Sequence, residues 1–358
     1  MKNVIIFGTG KSAETLELSL NCNVNIIAYT DNNNYNWGKM HRNKLVINPL
    51  ELIKYEYDYI LIGSQFNEEI YKQLLDYKIP KSKIFQLTKY TINNWDYIKY
   101  NKERISNDTL EINTLVTGSS YSTFGFAEEF YKKKAINISA PSQDLYYDFN
   151  FVKWAIENNN LNNLQEVIIG LSYYSFQYDM SLSAMKGNVS LYYRNLGLKH
   201  NLNNIEDIIE GLDETLKIGD NIFNFKSSYV IWKGVSQRSI LNEETGRIQA
   251  EVDCRKNYPE TVKENIQIFK NYLELLIEKN VKPIVVVYPV SKYYSMYFSS
   301  IMKAEFKSII NQMKKIYEFE YIDYFNNDIF SDENFRDVSH LNIDGGKKFT
   351  EILNNLIK

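Results

Sequence analysis

The stretch Leu115-Val116-Thr117-Gly118-Ser119-Ser120-Tyr121 decides how the larger part of this chain is read. Apolar and β-branched positions run into a turn of small residues, and helical spacing resumes near Thr123. A strand ending in such a turn presents a hydroxyl at the carboxyl edge of a parallel sheet. Helix-start N–H groups nearby favour the negative charge that develops on an attacked carbonyl oxygen. Ser/Thr-rich turns before helices are also ordinary N-caps, so Ser120 needs a partner before the turn reads as chemistry.

On both sides of this stretch, short β-branched runs alternate with longer amphipathic segments, the pattern of α/β domains built on parallel sheets. Strands are predicted at Ile112–Thr117, Ala135–Ile138, Val167–Leu171, Pro283–Tyr288 and Tyr321–Tyr324. Helices are predicted at Phe124–Lys133, Leu145–Asn158, Glu260–Lys279, Ser299–Tyr317 and Gly345–Ile357. Upstream, strands are predicted at Val4–Phe7, Val24–Tyr29, Tyr59–Ile62 and Ile84–Leu87, with helices at Lys11–Leu20 and Asn67–Tyr77. A chain of 358 residues, 44% hydrophobic, supports two cores. The expected fold class is therefore α/β, two doubly wound parallel-sheet domains: residues 1–88, a Tyr/Asn/Lys-rich linker at 89–109, and residues 110–358. The stretch 175–258 breaks the rhythm and reads as an insertion over the site.

The partner lies in Asp337-Val338-Ser339-His340-Leu341-Asn342, just ahead of the C-terminal helix. An acid three residues before a His can meet the imidazole, fix its tautomer and stabilise its charged form. The chain has three histidines, and His41 and His200 sit in polar contexts without an evident role.

These residues resemble the SGNH (GDSL-like) hydrolase superfamily, over roughly residues 110–358. Gly118-Ser119-Ser120 resembles its first block and Asp337 to His340 its last. The resemblance implies Ser120 as nucleophile, His340 as general base and Asp337 as its orienting acid, with no cofactor required. The Gly-Ser-Ser start is similar to members linked to surface-polymer acylation, including D-alanyl transfer proteins of teichoic acids and alginate-type O-acetyltransferases. Two blocks depart from the pattern: Ser142 stands where the family has an oxyanion-hole Gly, and Tyr174 stands nearest its Asn. The implied reaction is acyl transfer from an ester to water or to a sugar hydroxyl, a serine esterase or O-acyltransferase. Aromatic residues near the expected mouth suit a carbohydrate substrate.

At the other end, Phe7-Gly8-Thr9-Gly10-Lys11-Ser12-Ala13 is a strand, a Gly turn and a helix, and Asp31 closes the next strand. That is the layout of a dinucleotide fingerprint, with Ala13 in the third Gly's place, Gly8 and Gly10 opening the turn, and Lys11 and Ser12 beginning the helix. The turn also resembles the N-terminal domains of PglD-type sugar acyltransferases, which implies a nucleotide or nucleotide-sugar. Two other readings stay open: an NAD- or nucleotide-sugar-dependent oxidoreductase centred on Gly8, Gly10 and Asp31, or a non-catalytic binding protein with an SGNH shell, suggested by Ser142 and Tyr174 in place of the family's oxyanion Gly and Asn.

A net charge of -3 with 24% charged residues lacks the basic excess that nucleic-acid backbones require. No apolar run approaches the roughly 20 residues of a membrane span, and the first ten residues read as a strand and not an export signal, so a cytoplasmic protein without membrane insertion is expected. Cys22 and Cys254 are too few for a disulfide framework, and no metal-site signature is present. Tyr is abundant throughout, at 29 residues, so an aromatic wall is weak evidence by itself.

Overall fold

A computed structural model describes residues 1–64, 66–223 and 240–357. The chain forms two compact α/β units, one of residues 1–96 with 203–223, the other of residues 97–202 with 240–357.

The first unit is built on a six-stranded sheet. Its strands are β1 (Lys2–Phe7), β2 (Val24–Thr30), β3 (Met40–His41), β4 (Lys44–Ile47), β5 (Tyr59–Ile62) and β6 (Ile84–Gln86), in the order β3-β4-β2-β1-β5-β6. All pairs are parallel except β3 with β4. The sheet is larger than the four strands read from sequence, because the β3–β4 hairpin adds an edge. Alternate residues of β1 serve opposite cores: Val4 and Ile6 pack with Leu61 and Phe85, whereas Ile5 and Phe7 pack with Ile60, Ile62 and Leu74.

Ile218, Ile222 and Phe223 complete the first of these cores. The helix that carries Ile218 and Ile222, Leu212–Ile222, therefore belongs to the N-terminal unit and does not form part of an insertion over the C-terminal site. Lys89 fixes the turn before it by donating to the carbonyls of Asp207 and Glu210 at 2.9 and 2.8 Å, and burial pushes its ammonium down to about 8. The stretch 175–258 is thus shared between the two units, and residues 224–239 of it lie outside the described residues. The predicted linker is largely helical, with Leu87–Asn93 in the first unit and Tyr97–Asn107 in the second.

The second unit holds β7 (Thr114–Gly118), β8 (Ala135–Asn137), β9 (Glu166–Leu171), β10 (Lys282–Val287) and β11 (Glu320–Asp323) in the all-parallel order β11-β10-β9-β7-β8. Every residue of β7 and β9 is buried, as a sheet covered on both faces requires. Glu166, charged and 1% exposed, survives there because Lys133, Tyr131 and Thr114 all bond its carboxylate, at 2.6, 2.7 and 2.8 Å. The strand order reverses beside β7, and ligands of such sheets bind outside the carboxyl ends at that point.

One helix differs from the sequence reading. No helix spans Phe124–Lys133; instead Ser120–Gly125 is helical and a single 3-10 turn follows at Glu128–Phe130. Among the described residues no helix is long and apolar enough to cross a membrane.

Candidate active site

Gly118 ends β7 with φ +115°, a conformation that L side chains rarely adopt, and a Cβ there would lie 2.4 Å from the carbonyl oxygen of Gly170. The chain is thereby pressed against β9 before Ser119 opens the short helix from Ser120. A buried carboxylate anchors the turn from below. Asp148, on the helix Leu145–Asn158, accepts the Gly118 N–H at 3.2 Å, the Gln143 amide at 3.0 Å and the Thr117 hydroxyl at 3.1 Å. Burial pushes Asp148 up to about 7, against the lowering effect of these bonds.

The imidazole arrives from the other end of the unit, after β11. Residues 336–341 form a tight loop: the Arg336 N–H donates to the His340 carbonyl at 3.0 Å, and Phe335 bridges to Leu341. Ser291, following β10, holds the loop's crown by donating both its N–H and its hydroxyl to the Val338 carbonyl, at 3.1 and 2.7 Å. Asn342 then caps the helix Ile343–Leu356 by accepting the Gly345 N–H. Gly346 lets that helix approach the Ser120 helix closely, since a Cβ there would lie 2.5 Å from the Phe124 carbonyl oxygen.

These anchors bring together three side chains that the sequence separates by 220 residues. Ser120 Oγ lies 2.8 Å from His340 Nε2, and His340 Nδ1 lies 2.8 Å from Asp337 Oδ1. Asp337 Oδ1 also accepts the N–H groups of His340 and Ser339, at 2.9 and 3.0 Å. Burial pushes Asp337 up, but its bonds to His340 and Ser339 and the nearby Arg336 outweigh this and hold the carboxyl below its usual range. An ionised Asp337 accepts Nδ1–H and leaves the Nε2 lone pair facing the serine hydroxyl, the arrangement in which imidazole can take a proton. The ring packs against Tyr121 and edge-on to Phe124, with centroids at 5.0 and 5.5 Å.

The two sequence candidates for oxyanion stabilisation sit on the loops after β8 and β9, the strands on either side of β7. Ser142, in the loop after β8, has φ 64°, the left-handed conformation that a glycine would adopt freely. Tyr174, after β9, shares an aromatic wall with Tyr121, the ring centroids being 6.3 Å apart, and burial raises its phenol well above the ordinary range. Sequence reasoning missed the polar network behind that wall. Tyr294 donates to Asp253 at 2.8 Å, and Lys256 bonds Asp253 at 2.7 Å while its ammonium stands 4.1 Å over the Tyr174 ring. It missed Asp148, Gln143 and Ser291 as well, because nothing in local spacing marks them.

In the N-terminal unit, Gly8, Gly10, Lys11, Ser12 and Asp31 line one cleft of about 650 Å³ at the carboxyl ends of β1, β2 and β5. Gly8 has φ +115°, and the helix Lys11–Ser19 starts at Gly10 without a side-chain cap, so no capping side chain accepts from its first N–H groups. The Asp31 carboxylate accepts the Thr9 hydroxyl at 2.7 Å and the Asn33 N–H at 2.8 Å. Ala13 lies beneath the cleft's floor, where a Cβ on Gly63 would meet its Cα at 2.7 Å.

Comparison with known proteins matches two separate stretches of the chain, 1–85 and 240–357, and neither contains Ser120. Residues 1–85 match the family described as C2185-like, N-terminal, and no curated protein matches the sequence. A solved structure described as "a putative platelet activating factor from Streptococcus pneumonia" aligns over 81% of this chain and 99% of its own, at 10% identity and a TM-score of 0.42. The C-terminal part of the chain, residues 240–357, is similar to the family described as DltD protein, and this match includes both Asp337 and His340.

Proposed function

We propose that the C-terminal unit is a serine-dependent acyl hydrolase or O-acyltransferase that modifies a carbohydrate, in the manner of surface-polymer acylation. The observation that carries this reading is the continuous chain Ser120–His340–Asp337 with both links at 2.8 Å. Similarity to the DltD family, which is tied to D-alanyl-lipoteichoic acid biosynthesis, supports the substrate class.

The chemistry follows from the geometry. Ser120 Oγ attacks an ester carbonyl as His340 Nε2 takes its proton, and Asp337 stabilises the imidazolium that results. The tetrahedral intermediate collapses to an acyl-Ser120 when His340 returns the proton to the leaving alcohol. Water or a sugar hydroxyl then attacks the acyl group, again with His340 as base. First-turn N–H groups of the helix from Ser120 serve the oxyanion, with Ser142 and Tyr174 as the side-chain candidates on the loops after β8 and β9.

The test is hydrolysis of p-nitrophenyl acetate. Ser120→Ala and His340→Ala are expected to fall to background, and Asp337→Asn to lose about 10³–10⁴-fold in kcat because the amide favours the wrong imidazole tautomer. Undiminished turnover in Ser120→Ala rules the reading out.

For the N-terminal cleft, the uncapped helix start above Gly8 and Gly10 supports a phosphate-bearing ligand, a nucleotide or nucleotide-sugar. Calorimetry with UDP-sugars and with NAD(H) separates that ligand from a nicotinamide cofactor, and heat from neither removes both.

A further inference from the structure

We propose that Asp144, Asp179 and His200 hold a divalent transition-metal ion, Zn²⁺ by their donor set, which ties together the loop after β8, the loop after β9 and the turn after the helix Val189–Leu196. One donor atom from each of the three lies within 4.8 Å of the others. Asp144 and Asp179 are each 5% exposed, and the His200 side chain is likewise 5% exposed. All three belong to the second unit.

The orphaned atom of the cluster is His200 Nδ1. It is buried without a hydrogen-bond partner, 3.5 Å from Asp179 Oδ2. A buried polar atom in that state is destabilising, and a ligand on Nδ1 removes the penalty. Its neighbours prepare it for one. Glu264 Oε1 sits 3.2 Å from Nε2, where it can accept the proton that a metal on Nδ1 requires to be there, and the Asn201 amide stands 3.3 Å from the same nitrogen. Tyr146 stacks on the imidazole at 3.8 Å and 9°, fixing the ring plane.

The carboxylates are oriented but not saturated. Asp144 accepts the N–H groups of Tyr147 and Met180, at 3.0 and 2.7 Å, one on each oxygen. Asp179 Oδ1 accepts the N–H groups of Ser181 and Leu182, and Oδ2 accepts the Asn201 amide at 2.9 Å. An ionised carboxylate has about four acceptor sites, so both keep at least one for a cation. Asn201 also donates to Glu264 Oε2 at 3.0 Å, which links the outer acid to the inner one.

One imidazole and two carboxylates match a dication in charge and suit Zn²⁺ in donor type. With bonds of about 2.0–2.1 Å, the edge of a tetrahedral site is about 3.4 Å, close to the separation of His200 Nδ1 and Asp179 Oδ2. A fourth position falls to water. The competing arrangement is a doubly protonated His200 paired with Asp179 and Glu264, which needs no metal.

Zinc titration separates the two, in protein carrying Cys22→Ser so that the exposed thiol does not compete. After chelator treatment and dialysis, the protein is expected to take up one Zn²⁺ per chain, with Tm raised by about 4 °C or more at saturating metal. His200→Phe, which keeps the ring stack on Tyr146, is expected to bind none. Glu264→Gln, at a partly exposed position, is expected to bind about 10–100-fold more weakly. Failure of the parent protein to bind stoichiometrically overturns the proposal, as does equal uptake by folded His200→Phe. Should His200→Phe not fold, unchanged affinity in Glu264→Gln overturns it instead. The readout is metal content and melting temperature, so it stands apart from the fate of the Ser120 reading.

Discussion

Asp148 Oδ1 accepts the backbone N–H of Gly118 at 3.2 Å, so a buried carboxylate fixes the turn that carries Ser120 two residues later. The same oxygen takes the Gln143 amide, which also donates to the Gly118 carbonyl at 3.1 Å. Both polar groups of Gly118 are therefore held by buried side chains.

That anchor makes stability depend on pH. Burial raises Asp148 from 3.8 to about 7 in the folded protein, so between those values the folded state holds a proton that the unfolded state has released. The contribution to stability is greatest below about pH 4 and declines as pH rises to 7, by up to about 4 kcal/mol. Asp148→Asn keeps the hydrogen-bonding shape without the titration. Urea unfolding at several pH values is expected to show the variant gaining on the wild type as pH rises from 4 to 7; a constant difference contradicts the assignment.

Gly118→Ala is expected to be among the most damaging single-methyl substitutions in the second unit. The new Cβ would meet Gly170 O at 2.4 Å and Ser122 Oγ at 2.7 Å, in a backbone conformation that alanine already resists. A loss of about 3 kcal/mol or more in urea unfolding is expected, and p-nitrophenyl acetate turnover should fall with it as Ser120 is displaced.

Ile222→Ala tests the structural place of residues 203–223. Ile222 is fully buried in the same core as Val4, Ile6 and Leu61. Truncating it is expected to cost about 2–5 kcal/mol in equilibrium unfolding, whereas a residue in a loosely attached cover would cost under about 0.5 kcal/mol.

Much of this organisation was legible in the sequence, for physical reasons. Runs such as Val167–Leu171 are buried on both faces and so are continuously apolar, and β9 begins one residue earlier only because Glu166 is neutralised by Lys133. The helix Leu145–Asn158 matches its predicted bounds, and its cap residue Asp144 accepts the Tyr147 N–H. The β3–β4 hairpin was not legible: two residues in one strand and four in the other carry too little periodicity. The sequence points to a helix from Phe124 where the structure starts one at Ser120, because Ser and Thr are weak helix formers and the close approach of Gly346 to the Phe124 carbonyl is visible only in three dimensions. The Ser120, Asp337 and His340 side chains were singled out by local context. Their anchors, Asp148, Gln143 and Ser291, and the surroundings of His200 depend on contacts between distant segments, which no spacing encodes.

The most direct measurement is labelling with a fluorophosphonate followed by peptide mass spectrometry. A hydroxyl hydrogen-bonded to an oriented imidazole should react as a nucleophile, so the expected result is a single adduct on Ser120 that disappears in His340→Ala. A folded protein that takes no label, or takes it on another residue with Ser120 unmodified, would contradict Ser120 as the nucleophile.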